Sequence, residues 1–213
     1  SGMVYTKRSY DQETGIVEDI KRLMTTHPHQ ISNIDDFIKQ YEDENGVTLA
    51  DSQKEAVRSS FRNQVNIITG GPGTGKTTTT KAVLYVHDQV FGSSSEPVLL
   101  APTGRAARRM SEATGYPACT IHSAVGYTGV PELDERMSDT LEGNLFIIDE
   151  SSMADQFITN ILLEHIPDGA RVIFVGDPDQ LPSVGAGNVL HELIRSQAVS
   201  YTHLRAHETL SDL

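Results

Sequence analysis

The run from Thr69 to Thr78, TGGPGTGKTT, has the residue types and spacing that a polyphosphate requires. Gly70, Gly73 and Gly75 let the backbone curl until successive N–H groups point inward at phosphate oxygens. Gly71, Pro72, Thr74 and Thr78 complete the cradle. Lys76 reaches the β and γ phosphates of a nucleoside triphosphate, and the Thr77 hydroxyl is a hard oxygen ligand for Mg²⁺. The largely apolar Val65 to Ile68 before the loop reads as a buried strand, and Ala82, Val83, Val86 and Val90 after it share one side of a helix. Strand, glycine loop and helix N-terminus together form an anion site, because the helix dipole adds positive potential where the N–H groups point. A glycine turn that binds nothing is the competing account, and the full motif with both flanks outweighs it.

NLFIIDESSM, from Asn144 to Met153, is an apolar strand ending in two carboxylates, where an open parallel sheet gathers its ligand chemistry. Asp149 suits Mg²⁺, directly or through water, and Glu150 suits orienting or deprotonating the attacking water. Adjacent carboxylates repel unless a cation shares them, and a metal–nucleotide complex brings one. VIFVGDPDQLPSVGAGNVL, from Val172 to Leu190, is another strand with Asp177 and Gln180 at its exit. The Gln180 amide suits sensing a γ phosphate, and equally suits capping the strand end; both readings stand.

LLAPTGRAARRM, from Leu99 to Met110, sets the Thr103 hydroxyl beside Arg105 after a Pro and Gly turn. That pairing suits phosphodiester oxygens, and Arg105 alone reads as ordinary surface charge. Arg108 and Arg109 fall on partly different faces of one helix, so at least one is expected to be solvated. His122, in CTIHSAVGY, suits stacking on a base or bonding a phosphate, and equally a structural histidine. Gln53, in VTLADSQKEAV, offers the donor and acceptor that match adenine, while its place in a first helical turn, capped by Asp51 or Ser52, reads as surface.

These residues need a scaffold that brings strand ends together. Apolar runs recur at Val65 to Ile68, Val98 to Ala101, Leu145 to Ile148 and Val172 to Val175, with helical stretches between them. The pattern predicts an α/β fold, a parallel sheet sandwiched by helices. Upstream, Ile16, Ile20, Leu23 and Met24, then Ile34, Phe37, Ile38 and Tyr41, carry helical spacing, with Ser32 or Asn33 to cap the second helix. Residues 1–46 are therefore expected to form a short N-terminal helical appendage, and 92–96 and 128–143 surface loops.

The chain has 213 residues, enough for a real core, and its 17 basic and 29 acidic side chains leave a net charge of −12. No broad positive field attracts nucleic acid, so any such contact is local. The single cysteine, Cys119, excludes an internal disulfide and a CxxC metal site. Without a bilayer-length apolar run or a charged-then-apolar leader, a soluble protein of the reducing cytoplasm with no membrane partner is expected. Ser1 and Gly2 before Met3 read as a cloning remnant.

Taken in order, ADSQ, GGPGTGKTT, APTGRAA, TIHS, DESSM and GDPDQLPSVGAGNVL resemble the first motor domain of superfamily 1 DNA helicases. PTGRAA and TIHS with the GDPDQLP and SVGAGNVL segments are similar to the RecD-like group, which includes the exodeoxyribonuclease V alpha subunit and relatives of conjugative helicases. The resemblance covers residues 47 to about 196. It implies a RecA-like P-loop NTPase domain over 47–198, ATP and Mg²⁺ as cofactors, and single-stranded DNA as the track. It further implies five-prime to three-prime movement, work in recombination or repair, and recombination or nuclease subunits as partners. By motif match, Gln53 contacts adenine, Lys76 and Thr77 the phosphates and Mg²⁺, Asp149 and Glu150 Mg²⁺ and water, and Gln180 the γ phosphate. Thr103, Arg105 and His122 face the DNA.

The family's second RecA-like domain, with the arginine that completes the ATP site, lies outside the match. A missing arginine finger costs about a thousandfold or more in turnover, so nucleotide binding is expected to exceed hydrolysis. Residues 199–213, VSYTHLRAHETLSDL, lose the pattern and resemble translated sequencing adapter, so a foreign tail is expected. Two other readings stay open: a nucleotide-dependent docking module without motor action, and an RNA-directed helicase of the same superfamily.

Overall fold

The computed structural model describes residues 7–26, 30–130, 134, 140–177, 179, 193–194 and 199–206. Its architecture follows from strands that are apolar on both sides. In β1 (Val65–Thr69), Val65 and Ile67 face one core and Ile68 the other. Between β2 (Val98–Ala101) and β3 (Ala118–Thr120) on one side and β5 (Arg171–Gly176) on the other lies β4 (Leu145–Ile148), which splits as Phe146 and Ile148 against Leu145 and Ile147. In β5, Val172 and Phe174 oppose Ile173 and Val175. Such strands must be covered on both faces. With β6 (Ser200–His203) they form a six-stranded sheet in the order β3-β2-β4-β5-β1-β6, every pairing parallel.

Helices cover both faces. Ile16, Ile20 and Leu23 of α1 (Lys7–Thr25) share one core with β1, β4 and β5, and α2 (Ile34–Asn45) lies in the opposite core through Ile34, Ile38 and Tyr41. That second core also takes Ala56, Val57 and Phe61 of α3 (Asp51–Arg62), Ala82, Val83 and Val86 of α4 (Lys76–Phe91), and Met110 of α5 (Gly104–Thr114). The first core takes Ile121 and Val125 of α6 (Ile121–Val125) and Ile158, Leu162 and Leu163 of α7 (Gln156–His165). The two helices before residue 46 thus pack on opposite faces of one sheet. Arg22 fastens α1 to the end of α7, donating to Leu163 O at 2.7 Å and Ile166 O at 3.1 Å and pairing with Asp168. A cation on the last carbonyls of a helix is favourable there.

Two local expectations change, both at helix caps. Asn33 occupies the cap position of α2 at φ 69° but makes no side-chain capping bond. Helix α3 starts after Ala50, whose N–H donates to Gln53 Oε1 at 2.8 Å, so neither Asp51 nor Ser52 is the cap. Residues 200–203, inside the stretch read as a tail, form β6 beside β1; Leu204 follows fully buried, its N–H donating to Thr69 O at 2.6 Å. Gln180 and most of SVGAGNVLHELIR lie outside the described residues. Among the described residues no helix is long and apolar enough to cross a membrane.

Candidate functional site

Because the strands are all parallel, their exits lie along one edge of the sheet, where such folds bind ligands. Strand β5 stands between β1 and β4, so the glycine loop after β1, Asp177 after β5, and Asp149 and Glu150 after β4 are neighbours. Lys76, Thr77, Asp149, Glu150, Asp177 and, from α5, Arg109 line one cavity of about 280 Å³.

The loop owes its shape to glycines at two kinds of position. Gly73 and Gly75 adopt φ of 75° and 82°, which side chains resist. At Gly75 a Cβ would also stand 2.1 Å from Gln53 Nε2. At Gly70 one would stand 2.3 Å from Thr74 Oγ1, the hydroxyl that donates to Gly71 O at 2.9 Å. Helix α4 begins at Lys76, whose ammonium donates to Gly70 O and, at 2.9 Å, to Gly71 O. Thr77 is exposed at the mouth, half-buried Thr78 follows, and Pro72 lines the cavity.

Gln53 is buried, not the surface residue its helical position predicted. The start of α3 packs behind the loop, and the amide accepts from Ala50 N while its Nε2 lies 3.4 Å from Thr74 O and 3.5 Å from Gly75 O. It braces the turn from the rear.

Hydrogen bonds on either side fix the segment that carries the two carboxylates after β4. Asp149 N donates to Leu100 O at 2.9 Å, and Ser151 Oγ donates to Val175 O at 2.8 Å. Glu150 sits between them in the left-handed region at φ 49°, one of two such non-glycine residues among those described. Burial pushes the Asp149 carboxyl above its ordinary value, and the Glu150 charge adds to this. The Glu150 N–H, donating at 2.8 Å, and the charges of Lys76 and Arg109 oppose it without prevailing. The donor set fits a hard divalent cation: a hydroxyl and a carboxylate line the same cavity, and a cation would relieve the cost of keeping Asp149 ionised there.

Arg109 is the functional candidate that sequence reasoning passed over. Its Nη2 donates to Glu150 Oε1 at 2.6 Å, while Arg108 pairs with Glu112 at 2.8 Å on the solvent side. No local signal separates the two arginines, since the distinguishing partner lies on another strand.

The remaining predicted residues occupy the β2 and β3 end of the same edge. Thr103 caps α5, its Oγ1 accepting from Ala106 N at 3.2 Å, and Arg105 is exposed in the first turn. Half-buried His122 tilts against Tyr127 at 5.8 Å between ring centroids, and Tyr127 meets Phe157 edge-on at 5.3 Å. The structure therefore gathers Lys76, Thr77, Asp149 and Glu150 at one cavity and sets Thr103, Arg105 and His122 farther along the same sheet edge, after β2 and β3.

Residues 53–186 match the AAA domain family. The chain is 37% identical to the ATP-dependent RecD2 DNA helicase of Deinococcus radiodurans over 87% of its own length and 25% of that protein. It is 32% identical to the RecBCD enzyme subunit RecD of Haemophilus influenzae, over 96% of this chain and 36% of the subunit. Among solved structures it is similar to a Bacteroides Pif1 helicase carrying two cysteine substitutions, with a TM-score of 0.54 and 22% identity, covering 79% of this chain and 44% of the other. A Bacteroides Pif1 in complex with ADP-AlF4 gives a TM-score of 0.51 and 23% identity, over 74% of this chain and 42% of that one.

Proposed function

We propose a function from the premise that this chain belongs to the AAA domain family and is a homologue of RecD-type helicases: it is the ATP-binding and hydrolysing motor domain of a five-prime to three-prime DNA helicase. Its fold is that of a RecA-like helicase domain. The chain spans 25% and 36% of the two relatives' lengths, so the track, single-stranded DNA, the setting, recombination or repair, and partners such as nuclease subunits belong to the proposal.

The observation that carries it is the convergence of Lys76, Thr77, Asp149 and Glu150 on one cavity. The backbone N–H groups from Gly71 to Thr78 and the Lys76 ammonium take the phosphates, which requires Lys76 to exchange the Gly70 and Gly71 carbonyls for phosphate oxygens. Thr77 and Asp149 hold Mg²⁺, which when bound supplies positive charge to the β and γ phosphates. Glu150 orients the attacking water and accepts its proton. Gln53 contacts adenine if its amide releases Ala50. Thr103, Arg105 and His122 meet the DNA, the first two through phosphates and His122 by stacking or bonding. The role proposed for Gln180, sensing the γ phosphate, lies outside the described residues.

Steady-state ATP turnover, with and without single-stranded DNA, tests this reading. The parent should turn over slowly and speed up with DNA. Lys76→Ala should lose nucleotide binding, whereas Glu150→Gln should bind ATP and lose turnover by about a hundredfold or more. Parental turnover in both variants would remove the assigned roles. Stimulation by RNA in place of DNA would move the protein to the RNA-directed class.

A further inference from the structure

Helix α5 joins the two halves of the sheet edge. Its first turn carries Thr103 as cap and the exposed Arg105, both assigned above to nucleic-acid phosphate. One turn further on, Arg109 points into the nucleotide cavity and donates to Glu150 Oε1 at 2.6 Å. Residues four apart lie on the same helix face, so Arg105 and Arg109 address adjacent points, about 6 Å apart along the axis. Arg105 makes no ion pair among the described residues, and Arg108 is turned away onto Glu112.

The pair is built to be exchanged. The backbone at Glu150 is held by the Met153 N–H bond to Glu150 O and by the flanking bonds of Asp149 and Ser151, so only the carboxylate side chain is free to swing. The Arg109 side chain is 59% exposed and that of Glu150 24%, which leaves the guanidinium open to a second anion. An ion pair this exposed biases a side chain by no more than about fivefold, so a phosphodiester can compete for it. Arg109 is also the only described group in ion-pair contact with Glu150.

We propose that Arg109 is a positioning residue: it holds the Glu150 carboxylate away from the attacking water until a nucleic-acid phosphate, seated at Thr103 and Arg105, draws the guanidinium off. The inference rests on the function proposed above and adds the device by which strand binding is felt at the ATP site. Linkage makes the device reciprocal. If DNA frees Glu150 from Arg109, then removing the Glu150 charge must favour DNA through Arg109.

A double-mutant cycle read by DNA binding alone tests this, with no dependence on turnover. Fluorescence anisotropy of a labelled oligothymidylate would be followed across a salt series for the full chain and for Arg109→Ala, Glu150→Gln and the double variant. Arg109→Ala should weaken binding severalfold and lower the salt slope by about one. Glu150→Gln should tighten binding about threefold in the parent and leave it unchanged in the Arg109→Ala background. Arg109→Lys, which keeps the cation, should retain the tightening. Equal tightening in both backgrounds would expose a general charge effect and overturn the inference, as would an unchanged salt slope in Arg109→Ala. An additive cycle on a protein that binds DNA defeats the role of Arg109 alone; a parent that binds no DNA defeats the function reading itself.

Discussion

Gly75 carries two constraints at once, and they can be separated. Its φ of 82° penalises any side chain, and its missing Cβ makes room for the buried amide of Gln53. Gly75→Ala should cost about 2–3 kcal/mol by chemical denaturation, from left-handed strain together with the clash. In a Gln53→Ala background the same change should cost only about 1–2 kcal/mol, since the strain stays and the clash goes. Equal cost in both backgrounds would mean that Gln53 yields freely and does not brace the loop. Single residues were legible where the motif is local: Lys76 and Thr77 from the loop, and Asp149 and Glu150 from the strand before them. Arg109 was not, because its partner lies 41 residues away and only the sheet brings the two together. The surface reading of Gln53 failed for the same reason, as its helical position says nothing of the loop against which α3 packs.

Among the elements, the four apolar runs became β1, β2, β4 and β5, because strands covered on both faces announce themselves as continuous hydrophobic stretches. The helical spacing before residue 46 likewise became α1 and α2. Strand β3 has three half-buried residues and β6 alternates partly buried and exposed positions, so neither carries a run long enough to read. Their edge places in the sheet account for that composition. The connection from α2 to α3 depends on Glu42, whose Oε1 accepts from Leu49 N at 2.7 Å and lies 3.1 Å from Lys54 Nζ. Burial pushes the Glu42 carboxyl up, but the Leu49 N–H and the Lys54 ammonium together outweigh it and hold it below the ordinary value. A lowered folded pKa contributes stability that is present above the unfolded carboxylate pKa and lost as pH falls through the folded value. Glu42→Gln should therefore cost about 1 kcal/mol near neutral pH, with the gap to the parent closing in acid. A gap that persists unchanged into strong acid would show that the charge at Glu42 contributes nothing.

On the proposed function the sheet edge divides between two tasks, with nucleotide chemistry at the ends of β1, β5 and β4 and strand contacts at those of β2 and β3. The net charge of −12 is consistent with that proposal, in which no general field gathers nucleic acid and a few placed groups would do so. Parallel strands, helices on both faces and a phosphate loop were all visible in the sequence. How the helices divide between the faces was not, because spacing marks an apolar face without naming what it meets.

The central claim is that a triphosphate lies along the loop between Lys76 and Asp149. The most direct test is a crystal structure of the chain with a non-hydrolysable ATP analogue and Mg²⁺. The account predicts phosphates along Gly71 to Thr77, the Lys76 ammonium moved from the Gly70 and Gly71 carbonyls onto them, and the metal between Thr77 and Asp149. An analogue bound elsewhere, or absent, with Lys76 still on those carbonyls, would contradict it.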